Sequence, residues 1–177
     1  QIKVFGAAYI RDLVTVYDDM GVLSLDENGM IRSSGTEIGA FVRLDDLDAG
    51  YSFKELDRSV FMNPDKVNAR IVIPITDYKD VVAKHHVDFF LYANNYEDGG
   101  EALSFFDNVD DALEVFRAGN RMAKGTTTEY GLVGSYFANP FGPVQRQEQT
   151  DPILVDYFNK MFEQGIKVGQ LRTRLGI

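Results

Sequence analysis

The sequence predicts an α/β (mixed α+β) fold, a mixed sheet with flanking helices. Three observations carry this: two nearly continuous apolar runs, an amphipathic helix that leads straight into a strand, and an Asn-Gly turn signal near the start. The runs are ARIVIPI (69–75) and VDFFLYA (87–93). Unbroken apolar character of that length reads as central strands buried on both faces. Pro74 has no N–H to donate, so it belongs at the end of its strand or where no donor is needed.

The helix is expected over Pro152–Gln164, with Asp151 as cap, Pro152 in the first turn and Gly165 as the stop. Ile153, Leu154, Tyr157, Phe158, Met161 and Phe162 stripe one side, and a strand over 166–171 follows at once. Near the start, LVTVY (13–17), GVLSL (21–25) and GMIRS (29–33) are β-prone, and Asp26-Glu-Asn-Gly29 joins the last two as a hairpin. Between Asn108 and Lys124, Val109, Ala112, Leu113, Phe116, Met122 and Ala123 fit a helical face, capped by Asp107 or Asn108 and weakened by Gly119.

At 177 residues, 45% hydrophobic and 12% aromatic, the chain can bury a core as one domain spanning 1–177. With 27 acidic against 18 basic residues its net charge is -9, which argues against a broad grip on nucleic acid or anionic lipid. There are no cysteines, so thiolate metal sites and cysteine nucleophiles are excluded. No run approaches the length of a membrane span, and the expected location is cytoplasmic. Gln1 leads almost at once into the apolar IKVFGAAYI, which reads as the start of a piece cut from a longer protein.

Most apparent motifs fail on their own chemistry. RMAKGTTTEYG (121–131) has lysine before glycine, the reverse of the Gly-x-x-x-x-Gly-Lys-Ser/Thr order that wraps a phosphate, so Thr126–Thr128 read as a helix-to-strand connection. DENGMIRSSGTE (26–37) puts its first glycine at the fourth place and Met30 at the fifth, where a calcium loop needs other groups. His85 and His86 are the only histidines, and on an extended backbone at most one shares a face with Asp88. The pairs Asp18-Asp19, Asp45-Asp46 and Asp110-Asp111 lie beside turn or helix-start signals and read as solvated surface. Tyr136–Val144, with two prolines and a glycine among aromatics, reads as an ordered loop that either packs over the core or faces a ligand.

Asn68-Ala69-Arg70 carries more weight. An arginine at the mouth of an apolar strand keeps its guanidinium at an edge or pairs it. A fixed one suits phosphate or carboxylate, and a structural ion pair with one of the many acids is the other reading.

Taken in order, Asn68-Ala-Arg-Ile-Val-Ile-Pro-Ile75, Phe90-Leu-Tyr-Ala-Asn-Asn-Tyr96, Lys124-Gly-Thr-Thr-Thr-Glu129 and Ser135-Tyr-Phe-Ala-Asn-Pro-Phe-Gly-Pro143, followed by the helix and strand of 152–171, form a series. The series resembles the C-terminal, nucleotide-binding half of the ATP-dependent phosphoenolpyruvate carboxykinases. That family has Asn-Thr-Arg before a strand with Tyr-Pro-Ile, then Leu-Thr-Ala-Asp-Ala-Phe-Gly, Ala-Gly-Thr-Glu and Ser-Ala-Cys-Phe-Gly-Ala-Pro-Phe. The resemblance implies a carboxykinase C-terminal-domain-like fold, with Arg70 neutralising the nucleotide's terminal phosphate and Asn68 beside it in the cleft.

It further implies ATP and a divalent metal as cofactors of the full-length protein, and a nucleotide and a small carboxylic acid such as oxaloacetate as partners. Neither nucleic acid nor membrane is expected, and no metal ligand is assigned. Asn94 stands where the family has an acid, Ala69 where it has threonine, and the motif cysteine is missing. The family's P-loop and its metal-binding lysine, histidine and aspartate have no counterpart in the first 67 residues. The expectation is a partial phosphoryl-transfer domain, catalytically incomplete alone; the alternative is a non-enzymatic binding or assembly domain of a bacterial or phage protein.

Overall fold

The first turn is local in origin. Asn28 and Gly29 sit between β1 (Gly21–Leu25) and β2 (Ile31–Gly35), and Gly29 takes φ 74°, the left-handed conformation such a turn requires. A connection this short joins only antiparallel neighbours, so the expected hairpin forms and the calcium-loop geometry does not. The structure, a computed structural model, describes residues 12–43, 60–62, 70–74, 76–124, 130–139 and 142–174. Its class is mixed α+β, with small sheets and a few helices.

The chain divides into two compact units, one of Gln1–Asp26 and Arg32–His85, the other of Glu27–Ile31 and His86–Ile177. In the first, β3 (Gly39–Arg43), β4 (Val60–Met62) and β5 (Arg70–Pro74) form a three-stranded antiparallel sheet ordered β3-β5-β4. β5 is central, as its apolar run predicts, and Pro74 ends it opposite Gly39. A short helix α1 (Tyr78–Val81) follows, with Val81 fully buried, and His85 opens the two-residue β6 (His85–His86) beside β2.

LVTVY does not form the expected strand. Residues 12–17 pair with no ladder, and Leu13 and Val14 are 62% and 64% exposed. The segment is fixed instead by its last residue, whose Tyr17 hydroxyl meets Ser33 Oγ, and by Met20, whose carbonyl accepts from Thr36 N–H at 3.1 Å.

The second unit is built on β7 (Phe89–Ala93), β8 (Leu103–Phe105) and β11 (Lys167–Leu171), ordered β7-β11-β8. β11 runs parallel to β7, Val168 opposite Phe90, and antiparallel to β8. β7 is therefore an edge strand of this sheet, contrary to the expectation of a central one. Alternation explains why the sequence misleads. Phe90 and Tyr92 point to the helices, whereas Phe89, on the other face, is 57% exposed.

Helix α2 (Val109–Ala118) starts as predicted, Asn108 Oδ1 accepting from Asp111 N–H at 2.9 Å. It stops at Gly119, not at 124. Gly119 is left-handed at φ 57°, and a Cβ there would lie 1.8 Å from the Ser135 carbonyl oxygen. Met122 and Ala123, expected on the helix, lie on β9 (Asn120–Lys124), which pairs antiparallel with β10 (Tyr130–Gly134). Residues 125–129 thus connect two strands, where a helix-to-strand connection was expected; Thr126–Thr128 themselves lie outside the described residues.

The segment after β10 is a 3₁₀ turn (Tyr136–Ala138) and a short helix α3 (Gly142–Gln145). The 3₁₀ turn packs inward, with Tyr136 buried and the Phe137 ring 6.0 Å from Phe116. Helix α4 spans Gln147–Glu163, starting five residues before the expected Pro152 and placing Asp151 inside the helix. Leu154, Phe158 and Met161 form its buried stripe while Ile153 faces out, and Gly165 at φ 75° follows its end. Phe116 is the hub of the core: Phe90 stacks on it at 5.2 Å, and Tyr92 and Phe158 meet it edge-on at 5.2 and 4.9 Å. Each such ring, once buried, contributes roughly 1.5–3 kcal/mol.

Candidate functional site

Of the two residues predicted to meet phosphate, Asn68 lies outside the described residues. Arg70 is the first residue of β5, in register with Arg43 on β3 and Met62 on β4. It stands at the end of the central strand, where the sequence placed it.

The second unit presents a polar cluster at the carboxyl ends of its two parallel strands, the place where α/β sheets commonly receive ligands. Asn94, the residue after β7, is fully buried. Its backbone N–H donates to the Leu171 carbonyl at 3.1 Å and its carbonyl accepts from Met122 N–H at 2.9 Å, tying the ends of β7 and β11 to the middle of β9. Its side chain is satisfied as well: Nδ2 donates to Gln170 Oε1 at 3.2 Å, and Oδ1 accepts from Tyr96 N–H at 3.1 Å. Burying an amide is tolerable only with such partners.

Asn95 adopts the left-handed conformation at φ 59°, which asparagine tolerates better than most residues. That turn lets Nδ2 donate to the Met122 carbonyl at 3.2 Å and Oδ1 accept from Thr173 Oγ1 at 3.3 Å. Tyr92 and Tyr96 both donate their hydroxyls to the Asn120 carbonyl, at 2.8 and 3.2 Å. Burial pushes the Tyr92 hydroxyl up to about 12, and the nearby Tyr96 adds to it while Arg121 opposes it. Tyr96 is raised too, by burial first and then by Asp98, against the pull of Arg172.

On the rim, Arg172 Nε donates to Asp98 Oδ1 at 2.7 Å and Nη1 to the Glu101 carbonyl at 3.0 Å. The hydrogen bond from Arg172 holds the Asp98 carboxyl below its usual range, helped by the Gly100 N–H. Together these groups satisfy one another, and they tie the strand ends into a polar cluster of amides, hydroxyls and a braced guanidinium.

The sequence flagged Asn94 only as a departure from a family pattern and did not assemble this cluster. The available signal was Asn-Asn-Tyr placed directly after an apolar strand. Arg70 belongs to the first unit and the cluster to the second.

Other candidates resolve into structural roles. His86 Nε2 lies 3.1 Å from Asp88 Oδ1, while His85 Nε2 lies 2.6 Å from the Asp80 carbonyl, so one histidine shares a face with Asp88 and the other does not, as the extended backbone requires. Asp110 and Asp111 occupy the first turn of α2. Asp18 and Asp19 crowd Glu37 and raise its carboxyl, a hydrogen bond with Asp19 being the largest cause; Asp45-Asp46 lie outside the described residues. An open groove of ≈ 660 Å³ is lined by Val144–Gln149 and Asp151, all from one continuous stretch of chain.

Among the described residues no group of three or more histidine, aspartate or glutamate side chains is placed to hold a metal ion. No helix among them is long and apolar enough to cross a membrane. A scan against protein-family models gives no match, and a search of curated proteins finds no significant relative.

Proposed function

We propose that the chain is a partial domain of a phosphoenolpyruvate carboxykinase-like, nucleotide-binding and phosphoryl-transfer protein, catalytically incomplete alone. The observation that carries the reading is the serial order of its matched segments on elements suited to the task. Arg70 opens a central strand. The Ala93-Asn94-Asn95-Tyr96 segment closes β7 beside the parallel β11, with a polar cluster at the shared carboxyl end.

Phosphoryl transfer depends on positioned cations that neutralise charge on the moving group, and Arg70 is the residue assigned that task here, with Asn68 as its neighbour. ATP supplies the phosphoryl group in such a reaction and a small carboxylic acid such as oxaloacetate receives the chemistry. These 177 residues contain no P-loop, so the reading assigns them binding, not turnover. Isothermal calorimetry of the chain with ATP tests it: Arg70→Ala should weaken binding at least tenfold. No ATP binding by the wild type, or equal binding by the variant, removes the proposal.

A second reading, a non-enzymatic binding or assembly domain of a bacterial or phage protein, draws on one observation. On the face of the β7-β11-β8 sheet away from the helices, Phe89, Leu103 and Phe105 are 57%, 41% and 45% exposed. Gly169 between them lets the Phe89 and Phe105 rings approach to 6.1 Å, since a Cβ there would lie 2.9 Å from Phe105. An apolar face of this kind marks contact surfaces. Sedimentation of the wild type against Phe89→Ser with Phe105→Ser separates the readings. Self-association lost in the double variant, without any nucleotide binding, favours assembly.

A further inference from the structure

Asn28-Gly29 is the chain's only Asn-Gly step. Both residues are exposed, Gly29 takes φ 74°, and a Cβ added to it would meet nothing within 4 Å. The peptide nitrogen that follows an asparagine can close a small ring on the side-chain carbonyl carbon. Glycine hinders that closure least, because no side chain stands beside the attacking nitrogen. Water, which must take up the proton and later open the ring, reaches the exposed turn freely. Across the turn, Gln164 Nε2 donates to the Gly29 carbonyl at 3.0 Å and Gln164 Oε1 accepts from Ile31 N–H at 2.9 Å. The chain is therefore held just after the reacting nitrogen and left open just before it.

We propose that Asn28-Gly29 is a site of spontaneous deamidation, restrained by Gln164. The Gly29 nitrogen gives up its proton and attacks Asn28 Cγ; the N–Cγ bond forms, the Cγ–Nδ2 bond breaks, and the side-chain nitrogen leaves as ammonia. Water then opens the succinimide at either carbonyl, giving aspartate or isoaspartate, so that asparagine and water become an acid and ammonia with no change of oxidation state. Ring closure needs rotation about the Asn28 Cα–C bond, which swings the Gly29 peptide against its hydrogen bond to Gln164. The reaction thus proceeds through a local opening of the turn. Either product adds a negative charge next to Asp26 and Glu27, and isoaspartate also lengthens the backbone ahead of the two groups that Gln164 holds.

Asp98-Gly99 shows why the turn alone is not enough. Gly99 takes φ 77° and is equally unobstructed. Arg172 Nε, however, donates to Asp98 Oδ1 at 2.7 Å and holds that carboxyl below its usual range. An ionised carboxylate is a poor acceptor of a nucleophile, so this step stays intact where the neutral amide of Asn28 reacts.

The test incubates the full chain in mildly alkaline buffer and follows residue 28 by peptide mass mapping, with isoaspartate read by enzymatic methylation. Asn28 should convert ahead of every other asparagine, and Asp98 should stay unchanged. No conversion of Asn28 in the folded chain, over a time in which the urea-unfolded chain converts, overturns the site. Gln164→Ala should convert about threefold faster or more, because two hydrogen bonds no longer oppose the opening. Asp151→Ala, which weakens the fold near the opposite end of α4, should keep the wild-type rate. If Gln164→Ala converts no faster than the wild type, or if both variants speed conversion equally, Gln164 does not restrain the turn and that role is overturned. Should Gln164→Ala not fold, Gln164→Glu still accepts from Ile31 N–H but cannot donate to the Gly29 carbonyl. Faster conversion in that variant supports the restraint, and the wild-type rate overturns it.

Discussion

Arg117 grips Asp151 with two parallel hydrogen bonds, Nε to Oδ1 at 2.8 Å and Nη2 to Oδ2 at 2.6 Å, and so fastens α2 to α4. Tyr136 adds a third, its hydroxyl donating to Asp151 Oδ1 at 2.8 Å. Asp151 thus serves as a tie between elements instead of the helix cap that its place before Pro152 suggests. The pair is partly solvated, its side chains 39% and 33% exposed, so screening discounts its charge. Asp151→Ala should destabilise the chain by about 1–2 kcal/mol, read as a lower denaturant midpoint at unchanged slope.

The same tie fixes a pH response. The Arg117 hydrogen bonds, then that of Tyr136, hold the Asp151 carboxyl below its ordinary value of 3.8. A depressed folded pKa contributes stability that is fully present above the unfolded value and is lost as pH falls through the folded one. Tyr136 goes the other way: burial first, then Asp151, pushes its hydroxyl up to about 12, as burial does for Tyr92. Those two contributions are fully present below pH 10, the ordinary tyrosine value, and are lost as pH rises toward 12. Phenolate absorbance during an alkaline titration should show Tyr92, Tyr96 and Tyr136 ionising above the ordinary tyrosine value, together with unfolding. Nine tyrosines titrating as one class would contradict this.

Gly119→Ala should be the most damaging small substitution in the second unit. The residue is left-handed, and an added Cβ would lie 1.8 Å from the Ser135 carbonyl oxygen and 2.5 Å from the Ala138 nitrogen, both backbone atoms. Conformational strain of about 1 kcal/mol and overpacking of about 1–3 kcal/mol add to roughly 2–4 kcal/mol. A thermal midpoint within a degree of the wild type would show that the 3₁₀ turn yields freely.

Gly119 also shows where the sequence was legible and where it was not. Asn108 as a cap, the apolar face of 109–118 and the Asn28-Gly29 turn are local signals, and each forms as read. The end of α2 is not local: Met122 and Ala123 continue the helical spacing, and only the approach of Ser135 to Gly119 fixes the stop. The start of α4 was hidden because Gln147, Glu148 and Gln149 carry no apolar stripe, while Pro152 looked like a first turn. The parallel pairing of β7 with β11 joins residues 78 apart, Phe89 with Lys167, and no short window records it. The burial of Asn94 depends on that pairing and was invisible for the same reason. Arg70 at the mouth of a central strand was legible, but Arg43 opposite it was not.

Asn94 gives a sharper test of the carboxyl-end cluster. Asn94→Ala leaves the Tyr96 N–H without its acceptor in a fully buried setting, at a cost of about 2 kcal/mol. Asn94→Asp keeps that acceptor, and the Gln170 amide can turn over to donate in place of accepting. Burial then raises the new carboxyl in the folded state relative to about 3.9 when unfolded, so the aspartate variant should lose stability as pH rises above about 4. Urea unfolding of this variant at pH 4 and pH 7 measures the difference, and equal deficits at both would show that the position is not dry.

Gln164 makes the last prediction. Its Oε1 accepts from Ile31 N–H at 2.9 Å and its Nε2 donates to the Gly29 carbonyl at 3.0 Å, so one side chain satisfies two backbone groups of the hairpin tip. Ile31 is almost wholly buried, which makes an unpartnered N–H there expensive. Gln164→Ala removes both bonds at once and should cost about 1–3 kcal/mol. The local readout is hydrogen exchange: the Ile31 amide should exchange about tenfold faster or more, while amides in α2 keep their protection as long as the core stays closed. Gln164→Glu separates the two bonds, because a carboxylate still accepts from Ile31 N–H but cannot donate to the Gly29 carbonyl. In that variant the Ile31 amide should stay protected above the carboxylate pKa, with a smaller loss of stability than in the alanine variant. If alanine leaves Ile31 exchange unchanged, the hairpin tip is held by its own turn and Gln164 is incidental to it.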